Sequence, residues 1–325
     1  MPAAGRTGLP PLRYLSSSEV DQCLPDVATR LDLAATALTA LSRGAAEMPA
    51  KIGVHPRPGA LLHAMPAWLR DGDLVGLKWV SAYPDNNARG LPATNALVML
   101  NDAESGLVTW IMDGTRITAI RTAAVSGVAL RQLRPMRVDR IALVGAGVQA
   151  RSHIEVIGAL VPGAELVIYD HHPERAEAVA AEARLAGRAA SVSGSAEEAV
   201  GAAQVVITMA RLGSVSQVMT SDWLAPGTLV IAIDFATYAS AELARSARLF
   251  AVDDREQFFA LRAAGRFDGY PDPTTTIGDL VDIQPTATDG HILVNHLGIG
   301  LADVVFANDI ARRALEAGLG MELPR

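Results

Sequence analysis

The sequence predicts an α/β fold, a doubly wound parallel sheet joined to a smaller α+β domain. Three observations carry that prediction. In Arg140-Ile-Ala-Leu-Val-Gly-Ala-Gly-Val-Gln-Ala150 a β-branched run meets a glycine turn, and an amphipathic helix follows. From Arg140 onward strand-like and helix-like runs alternate, as parallel strands with crossover helices require. Residues 50–112 instead show short strand-like runs separated by turn residues, the pattern of an antiparallel sheet.

In chain order, Ser16-Ser-Ser-Glu19 predicts a capping box that opens a short helix. Pro25 opens a longer helix, with Val27, Leu31, Ala34, Leu38 and Leu41 on one face and Gly44 beyond its end. Strands follow at Ala60–Ala64, Leu74–Val80, Ala93–Leu100 and Leu107–Met112, with Asp71-Gly72 and Asp85-Asn86-Asn87 as turns. Thr118–Leu133 reads as a helical connector. Past the glycine turn, the strand Glu165–Tyr169 ends on Asp170, and Gly187 stops a helix over Pro173–Ala186. Ser195-Ala-Glu-Glu198 caps the next helix. Strands are expected at Gln204–Thr208, Thr228–Ile233, Leu249–Val252 and His291–Val294. The Pro-, Thr- and Asp-rich stretch Phe267–Asp289 reads as a surface excursion. A last helix from Leu301 to Ala317 is placed to return to the first domain. The domains expected are therefore 1–120, joined by a C-terminal helix over about 301–325, and a dinucleotide-binding domain over 121–300.

The chain has 325 residues, half of them hydrophobic, which is enough for two cores. A net charge of −7 with scattered lysines and arginines argues against a nucleic-acid partner. No apolar run reaches bilayer length, and the first residues lack the apolar core of a signal peptide, so a cytoplasmic enzyme is expected. The lone Cys23 excludes an intrachain disulfide and a cysteine-built metal site, and reads as a small apolar residue in a helix. No metal is expected.

The glycine turn carries the first chemical message. Gly145 permits the tight turn, Gly147 a close approach of backbone to a pyrophosphate, and Ala150 the packing of helix on strand. The helix N-terminus offers free N–H groups to the anion. A bare G-x-G-x-x-A also fits a structural turn. Its place between strand and helix selects the dinucleotide reading. Asp170 at the end of the next strand can bind the ribose hydroxyls and repel a 2′-phosphate, which selects NAD(H).

Ligands of such a sheet bind beyond the carboxyl ends of its strands. The residues there are Gly145–Gln149, Asp170, Thr208–Arg211, Asp234–Thr237 and Asn295–Gly298. Asp234 is either a catalytic acid/base or the N-cap of the turn that follows. His296 is either a proton donor near a nicotinamide or a packed histidine. Lys78, in an apolar strand, is either solvated at an edge or a buried cation awaiting a substrate carboxylate. Arg121 heads a small-residue helix, where it cannot favour the helix dipole, so a phosphate or carboxylate partner is expected. Lys51 reads by default as a surface lysine.

Several segments together resemble the ornithine cyclodeaminase/μ-crystallin family. They are Met65-Pro66, Gly76-Leu-Lys78, Pro84-Asp-Asn86 with Gly90-Leu-Pro92-Ala-Thr94, Ile120-Arg-Thr-Ala-Ala124, the glycine turn, Asp222-Trp-Leu-Ala-Pro-Gly227 and Leu297-Gly-Ile-Gly-Leu-Ala-Asp303. The resemblance runs over nearly the whole chain. It implies an NAD(H)-dependent oxidoreductase or deaminase acting at the C–N bond of a small amino or imino acid, and a homodimer formed through the strand-rich domain. Lys51 and Lys78 match cations for the substrate carboxylate, and Leu297 matches a residue lining the substrate pocket. Thr94, Arg121, Val148, Gln149 and Asp170 match cofactor contacts, with Arg121 reaching the pyrophosphate; Ile233 and His296 are expected to line the cofactor site too, His296 beside the nicotinamide.

Departures cluster around the reacting centre. Ala236 stands where cyclodeaminases carry a catalytic aspartate, and Asp234 where glycine is usual. Ala210 replaces a common threonine, and Ser240 a frequent lysine. Asp234, Lys78 and His296 are therefore the catalytic candidates. Two alternatives stay open, namely conversion of L-ornithine to L-proline with release of ammonia, and a non-catalytic dinucleotide-binding protein.

Overall fold

The computed structural model describes residues 9–210, 216–283 and 290–324, whose strands form two eight-stranded sheets. The chain opens with β1 (Leu12–Leu15), α1 (Ser17–Gln22) and α2 (Val27–Ser42). The capping box at Ser16 and Glu19 is present. α2 begins at Val27 rather than Pro25, because the Asp26 side chain accepts from Thr29 N and takes the cap. Cys23 is buried just past the end of α1 rather than inside a helix.

Then come β2 (Ala46–Glu47), β3 (Ile52–Val54), β4 (Leu61–Leu69), β5 (Leu74–Ala82), β6 (Thr94–Asn101) and β7 (Val108–Asp113). The four predicted runs are all strands. β1 pairs parallel with β7, so the first sheet is mixed rather than purely antiparallel. The strands missed in the sequence have two to four residues, too few to show an alternation.

α3 (Thr115–Leu133) is buried along most of its length and leads into the second sheet. A Cβ at Gly127 would lie 2.5 Å from Val156 Cγ1 and 2.6 Å from Leu31 Cδ2, so the glycine lets α3 pass between its neighbours. The second half runs β8 (Arg140–Val144), α4 (Val148–Leu160), β9 (Glu165–Tyr169), α5 (Pro173–Leu185), β10 (Ala190–Val192), α6 (Ala196–Gly201), β11 (Val205–Thr208), β12 (Leu229–Ala232), α7 (Ala241–Ser246), β13 (Leu249–Val252), α8 (Arg255–Ala263), β14 (Thr275–Thr276), α9 (Ile277–Leu280), β15 (Ile292–Asn295), α10 (Gly300–Glu316) and β16 (Met321–Leu323).

The second sheet is wholly parallel, in the order β10-β9-β8-β11-β12-β15-β13-β14. Strand order reverses at β8, which makes the carboxyl ends of β8 and β11 the expected crevice. Phe267–Asp289 is not simply a surface excursion. Phe267 and Tyr270 are buried against Phe258 and Phe250, and β14 extends the parallel sheet. The apolar residues there outweigh the turn-forming ones. Residues 284–289 of that stretch, and Arg211 among the strand-end candidates, lie outside the described residues.

α10 returns to the first sheet as expected. A Cβ at Gly300 would lie 2.7 Å from Met65 O, and one at Gly76 would lie 3.2 Å from Val304 Cγ2. The helix stops at Glu316, and β16 then pairs antiparallel with β1, so 301–325 is not helical throughout. Among the described residues no helix is long and apolar enough to cross a membrane.

Candidate active site

Gly145 has φ +112°, and a Cβ there would lie 2.6 Å from Met209 O, so only glycine fits between β8 and the end of β11. At Gly147 a Cβ would meet nothing within 4 Å, which leaves open space over the first turn of α4. No side chain caps that helix. Its free N–H groups and the positive end of its dipole suit a pyrophosphate. Val148 is exposed, and Gln149 Oε1 is a buried acceptor with no hydrogen-bond partner among the described residues. Asp170 Oδ2 accepts from Ala146 N at 2.8 Å and Oδ1 from His172 N at 2.9 Å, which braces the carboxylate beside the turn. The residues present therefore fit a dinucleotide. Ile233 continues β12 at the rim, its N–H donating to Thr208 O at 2.9 Å. Thr94 is exposed at the start of β6, opposite Ala82, and among the described residues no hydrogen bond links it to this turn.

The second feature is a cluster of charges between the two sheets. Lys78 is 1% exposed and its Nζ lies 2.6 Å from Asp303 Oδ2. Arg121 Nε donates to the other oxygen of Asp303 at 3.0 Å. Arg121 does not head its helix. α3 begins at Thr115, which puts Arg121 past the first turn, and the partner it needs is a buried aspartate. Its Nη atoms lie 3.4–3.5 Å from the Cβ position of Gly298. Lys51 is not a surface lysine, since its Nζ donates to Leu297 O at 2.6 Å and sits 5.2 Å from the Phe235 ring centroid. Burial is the main cause that lowers Lys51 to about 8 and Lys78 to about 7, and Arg121 adds to both shifts. Asp253 Oδ2 accepts from Leu297 N and Gly298 N, both at 2.8 Å, and holds that loop in place.

Asp234 does not cap the turn that follows it. Its Oδ1 accepts from Thr208 Oγ1 at 2.7 Å and its Oδ2 from Ala210 N at 3.1 Å, while Thr237 bonds to its main-chain carbonyl. Asp234 is 1% exposed, and burial raises its carboxyl to about 7. Phe235, next to it, has φ +59°, a strained value for a bulky residue. That turn points the Phe235 ring towards Lys51 and leaves Ala236 fully buried in an apolar cluster.

His296 is 2% exposed, and its Nε2 lies 2.8 Å from Ser126 Oγ. Ser126 Oγ lies 2.8 Å from His153 Nε2, and His153 Nδ1 lies 2.7 Å from Gln149 O. A carbonyl only accepts, so His153 carries its proton on Nδ1, Ser126 donates to Nε2, and His296 donates to Ser126 through Nε2. Burial foremost holds His296 well below its ordinary value. It is therefore a neutral imidazole tied to the first turn of α4, not a cationic proton donor, because among the described residues no acid pairs with it.

The structure thus brings Lys78 and Arg121 together on Asp303 and Lys51 onto Leu297, and gathers Gly145, Gly147, Val148, Gln149 and Asp170 at the turn. Asp303 and Asp253 are members the sequence reading missed. Both left a signal. Asp303 is a lone acid in the apolar run Leu301-Ala-Asp-Val-Val-Phe306, and Asp253 directly follows a strand of the parallel sheet. Among the described residues no group of three or more His, Cys, Asp or Glu is placed to hold a metal ion.

Residues 15–318 match the ornithine cyclodeaminase/mu-crystallin family. The chain is 34% identical over 318 residues to the nodulation efficiency protein NfeD of Rhizobium meliloti, covering 95% of this chain and 98% of that protein. It is 31% identical over 253 residues to the ketimine reductase mu-crystallin of Mus musculus, covering 76% and 78%. An archaeal alanine dehydrogenase dimer, solved with bound NAD, superposes with a TM-score of 0.85 at 27% identity, over 96% of this chain and 99% of that one. The chain belongs to the ornithine cyclodeaminase/mu-crystallin family.

Proposed function

We propose that the protein is an NAD(H)-dependent oxidoreductase acting at the C–N bond of a small amino or imino acid. The observation that carries this reading is the buried pairing of Lys78 and Arg121 on Asp303, with Lys51 bonded to Leu297 O and Asp253 holding the same loop. Lys51 donates to Leu297 O and stacks on Phe235, the residue that follows Asp234 in the chain. Lys78 and Arg121 share the one carboxylate of Asp303, so with Lys51 nearby the cluster keeps positive charge for the substrate's α-carboxylate. The α4 N-terminus would hold the pyrophosphate and Asp170 the ribose. When bound there, the nicotinamide supplies the hydride chemistry. Asp234, with its carboxyl near 7, is suited to give a proton to the nitrogen in the reductive direction or remove one in the oxidative direction. Asp253 holds Leu297 and Gly298 as a wall of the substrate site.

Turnover of NADH with 2-oxo acids and ammonium, monitored by absorbance, tests this reading. The reductive kcat is expected to fall as pH rises through about 7, and the oxidative kcat to rise, because Asp234 must enter protonated in one direction and ionised in the other. Asp234→Asn is expected to lower turnover by about 10²-fold or more with NADH affinity unchanged. Normal turnover in that variant removes Asp234 from the mechanism. The folded-state value lies above the unfolded one of about 3.9, so the stability this group contributes is complete below that value and lost as pH rises through about 7. L-Ornithine is expected to give little proline, since the Ala236 methyl exchanges no proton. Ammonia release from ornithine without net change in NADH would establish the cyclodeaminase reading instead.

Cofactor choice follows from Asp170. NADH is expected to bind at least about tenfold tighter than NADPH, because a carboxylate at that strand end repels a 2′-phosphate. Equal affinities in a fluorescence titration would remove the residue from cofactor selection.

A homodimer is supported by the outer face of the first sheet. Register places Ile52, Ala64, Trp79 and Leu97 in one row across β3, β4, β5 and β6. Ile52 is 71% exposed and Leu97 42%. An apolar row of this kind on an open sheet face favours a second copy as its cover. Light scattering is expected to report twice the chain mass of 34.1 kDa, and a monomer at micromolar concentration would rule the dimer out. The acidic composition and the single, buried Cys23 support a cytoplasmic location.

A further inference from the structure

The inner face of the first sheet carries more basic groups than an α-carboxylate needs. Met65 is opposite Lys78 and His63 opposite Val80, so His63 and Lys78 are diagonal neighbours on one face. Such pairs lie roughly 7–8 Å apart. Gly53 is opposite His63, and a Cβ there would lie 2.2 Å from His63 Cδ2, so the glycine makes room for the imidazole. Lys51 and His55 flank β3 at two-residue spacing from Gly53 and share its face. The His55 and His63 rings meet edge to face at 6.3 Å between centroids. The charge of Arg266 is the smallest of those that bear on His63. Arg266 precedes Phe267, whose ring packs 6.0 Å from Phe235, and Phe235 carries Lys51 on its face.

Lys51, His55 and His63 thus lie along one face of the sheet beside Lys78, from the buried lysine out to the exposed His55, and the charge of Arg266 acts on the same row. The nearby acids are committed elsewhere. Asp303 pairs with Lys78 and Arg121, and Asp253 takes the Leu297 and Gly298 N–H groups. Among the described residues no carboxylate forms an ion pair with Arg266 or Lys51. Burial, followed by the charges of Lys51, His55, Lys78 and Arg266, brings His63 down to about 4, so its imidazole is neutral in the free protein. An anion placed among these groups would relieve that repulsion.

We infer that the substrate is a short-chain dicarboxylic amino or imino acid, whose second carboxylate is held by His63, His55 and Arg266. This rests on the α-carboxylate lying at Lys78, Lys51 and Arg121. A distal ammonium, as in a diamino acid, would meet like charge there. A small apolar side chain would leave the basic groups unpaired.

Calorimetric titration of the NADH-loaded protein with succinate and with butyrate at pH 7 tests the inference without relying on turnover. Succinate is expected to bind at least about tenfold tighter, a difference of about 1.4 kcal/mol. His63→Gln and Arg266→Gln are each expected to weaken succinate at least threefold, with butyrate as the internal reference. Arg266 lies on a partly exposed loop, so its variant keeps the test open if the His63 variant folds poorly. Equal affinities, no binding of either acid, or a preference that survives both substitutions overturns the inference. Parallel assays separate the two readings. NADH-dependent turnover of monocarboxylic imines without a succinate preference sinks this inference alone. A succinate preference that needs His63 and Arg266, with no turnover of any imine, sustains the anion site and removes the oxidoreductase reading.

Discussion

Replacing Lys78 by methionine is expected to lower kcat/KM by about 10²-fold or more while leaving NADH affinity within about threefold. Methionine keeps the length and apolar stem of lysine and removes the charge. Asp303 then retains Arg121 on its other oxygen, so the fold keeps one intact ion pair and the variant is expected to be soluble. What it loses is a cation that is 1% exposed, where a carboxylate cannot turn to water instead. Truncating one partner of a buried, hydrogen-bonded charge pair costs about 2–5 kcal/mol, which sets the fold-change. Burial lowers Lys78 to about 7, so substrate affinity in the native enzyme is also expected to weaken as pH rises through that value. Steady-state kinetics beside an NADH fluorescence titration check both statements. Unchanged kcat/KM would show that Lys78 serves only to pair Asp303.

The opposite replacement, Asp303→Asn, is expected to damage the fold rather than only the site. Asp303 is fully buried and is the shared partner of Lys78 and Arg121. Asparagine keeps its shape and leaves two buried cations facing each other. Removing the common partner of buried charges costs about 3–5 kcal/mol, a large share of the roughly 5–15 kcal/mol that stabilises a domain. Lys78 can escape by losing its proton. A lysine whose folded value lies below its unfolded one of about 10.4 favours the folded state more as pH rises from about 7 towards 10. The loss in urea midpoint is therefore expected to be greatest below pH 7 and to shrink at pH 9. A stability within about 0.5 kcal/mol of the native protein at pH 6 would show that Arg121 and Lys78 find other partners.

The dinucleotide turn is legible in the sequence because its chemistry is local. Gly145, Gly147, Ala150 and Asp170 are set by one β-α-β unit, and a local backbone pattern fixes where their groups point. The strands β4 to β7 are legible for a similar reason, since each alternates along its own length. Asp303 is not, although it lies in a segment that carries the family resemblance. On sequence it is one acid in an apolar helix, and only the close packing of Gly300 on Met65 brings it to Lys78. The same holds for the inner-face row. His55 and His63 are eight residues apart in a turn-rich stretch, and their relation to Arg266 exists only once both sheets are in place.

By itself, then, the sequence determined the α/β class and the glycine turn of the nucleotide-binding pattern, since these follow from hydrophobic period, turn chemistry and short-range spacing. Tertiary structure decided which cations share Asp303, that His296 is neutral, that Asp234 reaches β11 rather than capping its own turn, and that His63 and Lys78 share one face of the sheet. Those properties depend on burial and on contacts between elements far apart in the chain. A charge has no fixed pKa or partner until the fold sets its distance from water and from other charges.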